Sequence, residues 1–245
     1  MAKQITETIT TADILARLRI HLNQQRPVTL HNTYQGVPVK TEAEVAMIHT
    51  NFIGLIVHPY QAVCIKHERR TFIESKALPE LIRAYPISID YTNHIILLKR
   101  LKIPQTINVD LHHSWIAPVK PISVDIHSQE EEPYAAEMLG IAVLEDNRIR
   151  MVMAVPEDIP YVRKDMLSLG FRLGQEDDLI WVQGEVHSLV KIRNKGIKRL
   201  EVDGRAVMTD EISILAYIAK REDQIMNALD KAYKKLRKAK KGRKP

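Results

Sequence analysis

The chain has 245 residues, with 36 Lys or Arg against 30 Asp or Glu, a formal net charge of +6, one cysteine and 45% apolar residues. That length suits one large domain or two small ones, and that balance of apolar and charged residues excludes global disorder and collagen-like or low-complexity classes. The lone thiol, Cys64, excludes an intramolecular disulfide framework and a multi-cysteine zinc site, and it fits a reducing compartment.

The first element reads as a helix. Thr10 or Thr11 can cap it, Asp13 stands three residues after Thr10, Ile14, Leu15, Leu18 and Leu22 recur at helical spacing, and Pro27 stops it. From Pro27 to about Lys102 the pattern is that of strands. Val28 and Leu30 alternate, residues 34–38 form a turn or bulge, and residues 44–49, 52–57, 62–65, 71–73, 78–89 and 94–101 are short strand candidates. A second strand-rich block follows at residues 107–111, 122–127, 138–144, 149–155, 171–173, 179–182 and 186–193. Residues 145–148 make a hairpin turn within it, residues 156–160 a breaker-rich stretch before a short amphipathic piece, and Gly196 and Asp203-Gly204 further turns. From about Asp210 the chain is helical. Leu215, Ile218, Ile225, Leu229, Ala232 and Leu236 fit heptad spacing, with Glu222 interrupting one core position, and two uses are open to this stripe: a seam between two copies or a face laid on a barrel.

Short strands at roughly ten-residue spacing argue for small barrels or sandwiches. The expected fold is mainly β with flanking helices, two small barrels in tandem. Its parts are an N-terminal helix over residues 1–25, a first barrel over 26–103, a second over 104–208, and a C-terminal helix with a basic tail over 209–245.

The charge is uneven. Residues 231–245 carry nine Lys or Arg and no acid, which leaves residues 1–230 at a net of −3. Lys234, Lys235, Arg237, Lys238, Lys240, Lys241, Arg243 and Lys244 are therefore the candidates for contact with nucleic acid or another anionic surface; a merely solvated tail is the bland alternative. The longest apolar run, residues 52–57, falls far short of the roughly 18 residues needed to span a bilayer. Residues 1–20 lack the apolar middle of a secretory signal. A cytoplasmic protein without a membrane span is expected.

Enzyme signatures are missing from the sequence: no G-x-S-x-G elbow, no phosphate-binding glycine loop, no G-x-G-x-x-G, and no serine or threonine with a base beside it. Cys64 reads as a buried thiol in a strand, with His58 and His67 as its nearest histidines in sequence. His112-His113 is an adjacent pair that cannot chelate through both rings from a strand, and no metal site is expected. The carboxylates at residues 130–132 and at Asp177-Asp178 lie in polar, turn-like surroundings. Tyr34, Tyr60 and Phe72 are candidates for base stacking on a barrel face, against core packing as the alternative.

Several short segments occur in an order that resembles a known family. They are Val28-Thr29-Leu30-His31-Asn32, Tyr34-Gln35-Gly36-Val37-Pro38-Val39, Val57-His58-Pro59-Tyr60-Gln61-Ala62-Val63, Thr71-Phe72-Ile73-Glu74-Ser75 and Leu78-Pro79. Over roughly residues 26–100 the chain resembles the N-terminal barrel of bacterial proteins that carry a PilZ domain behind a PilZ-like, flagellar-brake type domain. The resemblance implies that the second block is the PilZ barrel and that the protein is a non-enzymatic receptor for cyclic di-GMP. Such receptors bind through an R-x-x-x-R segment ahead of the barrel and a [DN]-x-S-x-x-G segment on it, where guanidinium groups pair with phosphates and guanine edges.

Here both segments depart from the pattern. No R-x-x-x-R occurs, and by position the two arginines fall at Leu111 and Trp115. The second segment falls at Gly140, Ala142 and Glu145 in place of the acid, serine and glycine. Lys99, Arg100 and Lys102, upstream, are a neighbouring basic group. The expectation is a degenerate PilZ-type signalling adaptor in cyclic di-GMP-linked regulation, with weak or absent affinity for that nucleotide through the usual residues, acting through a protein partner. No cofactor is expected. The alternative is a nucleic-acid-binding protein that uses the basic tail, and self-association through the C-terminal helix is a further expectation.

Overall fold

Twelve strands close on themselves twice in the computed structural model, which describes residues 9–104, 111–128, 132–174, 177–192 and 196–241, with side chains to 238. The first closed barrel has the order β1-β2-β3-β6-β5-β4, built from β1 (Val28–Tyr34), β2 (Val37–Ile48), β3 (Phe52–Val57), β4 (Thr71–Glu74), β5 (Ile82–Asp90) and β6 (Ile95–Lys102). The second has the order β10-β11-β12-β9-β8-β7, from β7 (Ser123–His127), β8 (Tyr134–Val143), β9 (Ile149–Pro156), β10 (Met166–Phe171), β11 (Ile180–Ile192) and β12 (Ile197–Ala206). Closure leaves no free sheet edge, and the inward positions of every strand share one core.

Helix α1 (Thr11–Gln24) starts as its sequence dictates. The Asp13 N–H donates to Thr10 Oγ1 at 3.2 Å and the Thr10 N–H donates to Asp13 Oδ2 at 2.9 Å, a reciprocal capping box. Ile14, Leu15 and Leu18 are buried in the core of the first barrel, each such side chain contributing about 1.5–3 kcal/mol relative to exposure. The helix ends at Gln25, in the left-handed region at φ 50°, two residues before Pro27.

Four sequence expectations are corrected. Residues 62–65 are not a strand but the middle of α2 (Pro59–Glu68), which has Pro at its first turn and the His58 ring as acceptor for the Tyr60 N–H. Asp203-Gly204 is no turn and lies inside β12; the stretches 179–182 and 186–193 are one strand, β11. Leu215 does not join the buried stripe of α3 (Met208–Lys241). It is 43% exposed, and Ile214 takes that place beside Ile218, Ile225 and Leu229. The strand expected at residues 107–111 falls almost wholly outside the described residues.

The chain divides into two compact units. The first comprises residues 1–34, 38–111 and 226–245, and the second residues 35–37 and 112–225, so that the last part of α3 belongs with the first barrel and its beginning with the second. In the first unit Leu236 packs on the core that also holds Leu101 and Ile65.

Candidate functional site

The site is built on the outer surface of the second barrel. Ahead of β7 the chain bridges to β8, where the Ile116 N–H donates to the Ile141 carbonyl and the Ile141 N–H to that of Ile116, both at 2.9 Å. A register shift between Met138 and Gly140 sets the parity of the next positions. Ile141 pairs with the core residue Met151, while Gly140 pairs with Val152 and Ala142 with Arg150. Neighbouring residues on a strand face opposite ways, so Gly140 and Ala142 lie on the face opposite Ile141, where both are nonetheless buried, Ala142 at 1% exposure. Trp115 lies on Gly140: a Cβ added there would sit 2.4 Å from its Nε1 and 2.5 Å from its Cε2, so only glycine admits the ring.

One strand further, the Arg150 guanidinium forks onto Asp203, Nε to Oδ1 at 2.6 Å and Nη2 to Oδ2 at 2.6 Å. Arg148 Nη1 stands 3.5 Å and His187 Nδ1 3.7 Å from Asp203 Oδ2. Asp203 is 8% exposed, and its carboxylate anchors this cluster of cations rather than offering a free base. Glu185 pairs in register with Asp203 on β11, so the row crosses β8, β9, β12 and β11. A cleft of ≈ 620 Å³ opens beside it, lined by Arg148, Trp181, Gln183, His187, Asp203 and Arg205 among others. The two central strands come close at Gly184 and Gly204, which are register partners; a Cβ on Gly204 would meet the Gln183 carbonyl oxygen at 2.5 Å.

Of the residues the sequence singles out, Trp115, Gly140 and Ala142 come together here. Leu111 is buried and belongs to the first unit. Lys99, Arg100 and Lys102 are exposed on β6 of the first unit, Arg100 with φ 54° in the left-handed region. The cations of the site, Arg148, Arg150 and Arg205, were missed by the sequence reading. Their signal is an arginine at alternate positions, Arg148 just ahead of β9 and Arg150 within it, a spacing that in extended chain puts both on one side.

The basic tail continues α3. Lys235, Arg237 and Lys238 are exposed, Lys234 Nζ bridges to Asp230 Oδ2 at 2.5 Å, Lys240 and Lys241 end the helix, and Arg243 and Lys244 lie outside the described residues. The stacking candidates are committed elsewhere: Tyr34 and Phe72 are buried, and the Tyr60 hydroxyl donates to Asp230 Oδ1 at 3.2 Å.

Cys64 is fully buried on α2, and desolvation, aided by the charge of Glu68, pushes its thiol up to about 12. His58 caps α2 instead of serving it, and His67 sits edge-on to Tyr34 at 5.7 Å. A serine with a base beside it does exist: Ser75 Oγ is 2.5 Å from His21 Nε2, and His21 Nδ1 faces the carbonyls of Arg26 and Pro27 at 3.2 and 3.1 Å. Because Nδ1 must donate to those carbonyls, Nε2 accepts from the hydroxyl, whose oxygen also takes the Ala77 N–H at 3.0 Å. These bonds latch the end of α1 to the chain after β4. Among the described residues no group of three or more His, Cys, Asp or Glu could hold a metal ion, and no helix is long and apolar enough to cross a membrane.

No family model matches the chain, and no curated protein matches it. Solved structures do resemble it. The Bacillus subtilis inhibitor of motility (MotI/DgrA) is 12% identical over 81% of this chain and 96% of its own, with a TM-score of 0.40. Escherichia coli YcgR in complex with c-di-GMP is 12% identical over 91% and 96%, with a TM-score of 0.41. The K. pneumonia MrkH–c-di-GMP complex is 12% identical over 92% and 97%, with a TM-score of 0.38.

Proposed function

We propose that the protein is a non-enzymatic signalling adaptor of the PilZ type, linked to cyclic di-GMP regulation, whose second barrel lacks the usual contacts for that nucleotide and which acts by touching another protein. The observation that carries the reading is Trp115 lying on Gly140. These are positions at which the family resemblance puts an arginine and a motif residue. An indole has no charge to pair with a phosphate, and its ring covers the strand position that the nucleotide would need to approach. The guanidinium one strand away, Arg150, is already bound to Asp203 through Nε and Nη2.

Support for protein contact comes from the side of the cleft. Met166, Trp181 and Val207 line it and are well exposed, as are Met208 and Ile212 one helical turn apart on α3. The Trp181 N–H donates to Asp210 Oδ2 at 2.9 Å, which ties that helix start to the strand. Trp, Met and Arg are the residue types enriched at interface cores. Calorimetric titration of the full chain with cyclic di-GMP tests the reading; tight binding would overturn it.

The second reading, nucleic-acid binding through the tail, is favoured by the exposed Lys235, Arg237 and Lys238. It predicts a salt-sensitive gel shift that is lost in the triple variant Lys235→Gln/Arg237→Gln/Lys238→Gln. A shift that is unchanged in this variant would remove Lys235, Arg237 and Lys238 from consideration.

A further inference from the structure

A second groove of ≈ 770 Å³ lies within the second unit, where the start of β7 and the end of β10 face the first half of α3. Four cations line it: Lys120 before β7, Arg172 after β10, and Lys220 and Arg221 on α3. The carboxylates in the same lining are Asp125 and Asp177. Arg172 is held by its Nη1, which donates to the Asp177 carbonyl oxygen at 2.5 Å, and Arg221 by its Nη1 on Gln224 Oε1. The Arg221 Nε is buried and has no hydrogen-bond partner among the described residues. A buried N–H of a charged group without an acceptor is rare in folded proteins and calls for one.

We propose that this groove binds a phosphate-bearing small molecule. Among the described residues of the lining, four cations against two carboxylates leave a surplus of two positive charges, which matches the −1.5 to −2 of a phosphate monoester at about pH 7. A guanidinium anchored through Nη1, with a buried Nε that lacks an acceptor, is the donor type that phosphate oxygens accept. The volume falls in the range of small-molecule sites, about 300–1,000 Å³. Leu179, 40% exposed, and Tyr217 give the groove an apolar wall on which the organic part of such a ligand would rest. The site uses neither Trp115 nor Gly140, so it goes beyond the adaptor reading and each can fail without the other.

The test is calorimetric titration of the full chain with inorganic pyrophosphate and with AMP at low salt. Binding of either probe is expected, weakened at least about tenfold in Lys120→Gln/Lys220→Gln, since each charge-assisted bond lost is worth roughly that factor. Both lysines are exposed, so this variant should keep its fold, checked by circular dichroism. Arg221→Lys, which keeps the charge and removes the fork, should weaken binding as well. The tail variant Lys235→Gln/Arg237→Gln/Lys238→Gln should bind as the wild type does. Binding of neither probe would overturn the proposal. So would binding that survives the groove variants or disappears with the tail variant.

Discussion

Trp115 rests on Gly140 so closely that a single methyl group on the glycine would fall 2.4 Å from the indole nitrogen. Gly140→Ala must therefore displace the ring, and overpacking of this kind costs about 1–3 kcal/mol. Denaturant titration should show that loss, with a red shift in tryptophan emission as the ring meets water. Trp115→Ala removes the obstacle, so the double variant should lose less than the sum of the two single changes. Strict additivity would mean that the two residues do not meet.

The Arg150–Asp203 fork makes a different prediction. With Asp203 only 8% exposed, Asp203→Ala takes the forked carboxylate from the half-buried Arg150 and a carboxylate within 4 Å from Arg148 and His187, though Arg148 keeps Asp146 at 2.5 Å. Breaking a buried pair from one side costs about 3 kcal/mol or more. Replacing both partners, as in Arg150→Met/Asp203→Leu, should be much milder. A double variant as damaged as Asp203→Ala would show that the ion pair itself, rather than an orphaned charge, sets the stability.

Cys64 should be inert. Its thiol stays protonated in the folded state up to about pH 12, against an ordinary value of 9.0. Iodoacetamide at pH 8.5 should leave it unmodified until denaturant is added. The folded state holds its proton more tightly than the unfolded one, so the contribution to stability is complete below about pH 9 and is lost as pH rises from there towards 12. Rapid labelling of the native protein would contradict the burial.

The apolar stripe of α3 distinguishes internal packing from a seam between copies. Leu229 is fully buried within a single chain. Leu229→Ala should lower stability by about 2–5 kcal/mol and leave the mass by light scattering unchanged. Ile212→Glu, on the exposed side, should change stability by less than about 0.5 kcal/mol. A fall in mass for Leu229→Ala would show that the stripe joins two copies.

What could be read from the sequence was local. The Thr10–Asp13 capping box, the alternation of residues 122–127 and the apolar run at 149–155 each lie within one element, and there the structure follows the pattern. Helix α2 was misread because Val63-Cys64-Ile65 is the run of a buried strand. The contrary signal, Pro59 just after a capping His58, stands just ahead of that run. Asp203-Gly204 looks like a turn by composition. Its glycine instead allows β11 and β12 to approach at Gly184, a reason that only pairing reveals. The site divides the same way. The family resemblance led to Trp115 and Gly140 by their order in the chain, whereas Arg150 and Asp203 are 53 residues apart and meet only through the β9–β12 register.

The central claim is that the second barrel has no usable site for cyclic di-GMP at Trp115 and Gly140. Isothermal titration of the full-length wild type with cyclic di-GMP at near-physiological salt tests it most directly. The predicted result is no heat of binding below ~100 μM ligand, corresponding to a binding free energy weaker than about −5.5 kcal/mol. A dissociation constant at or below ~1 μM that is unchanged in Lys120→Gln/Lys220→Gln would contradict it.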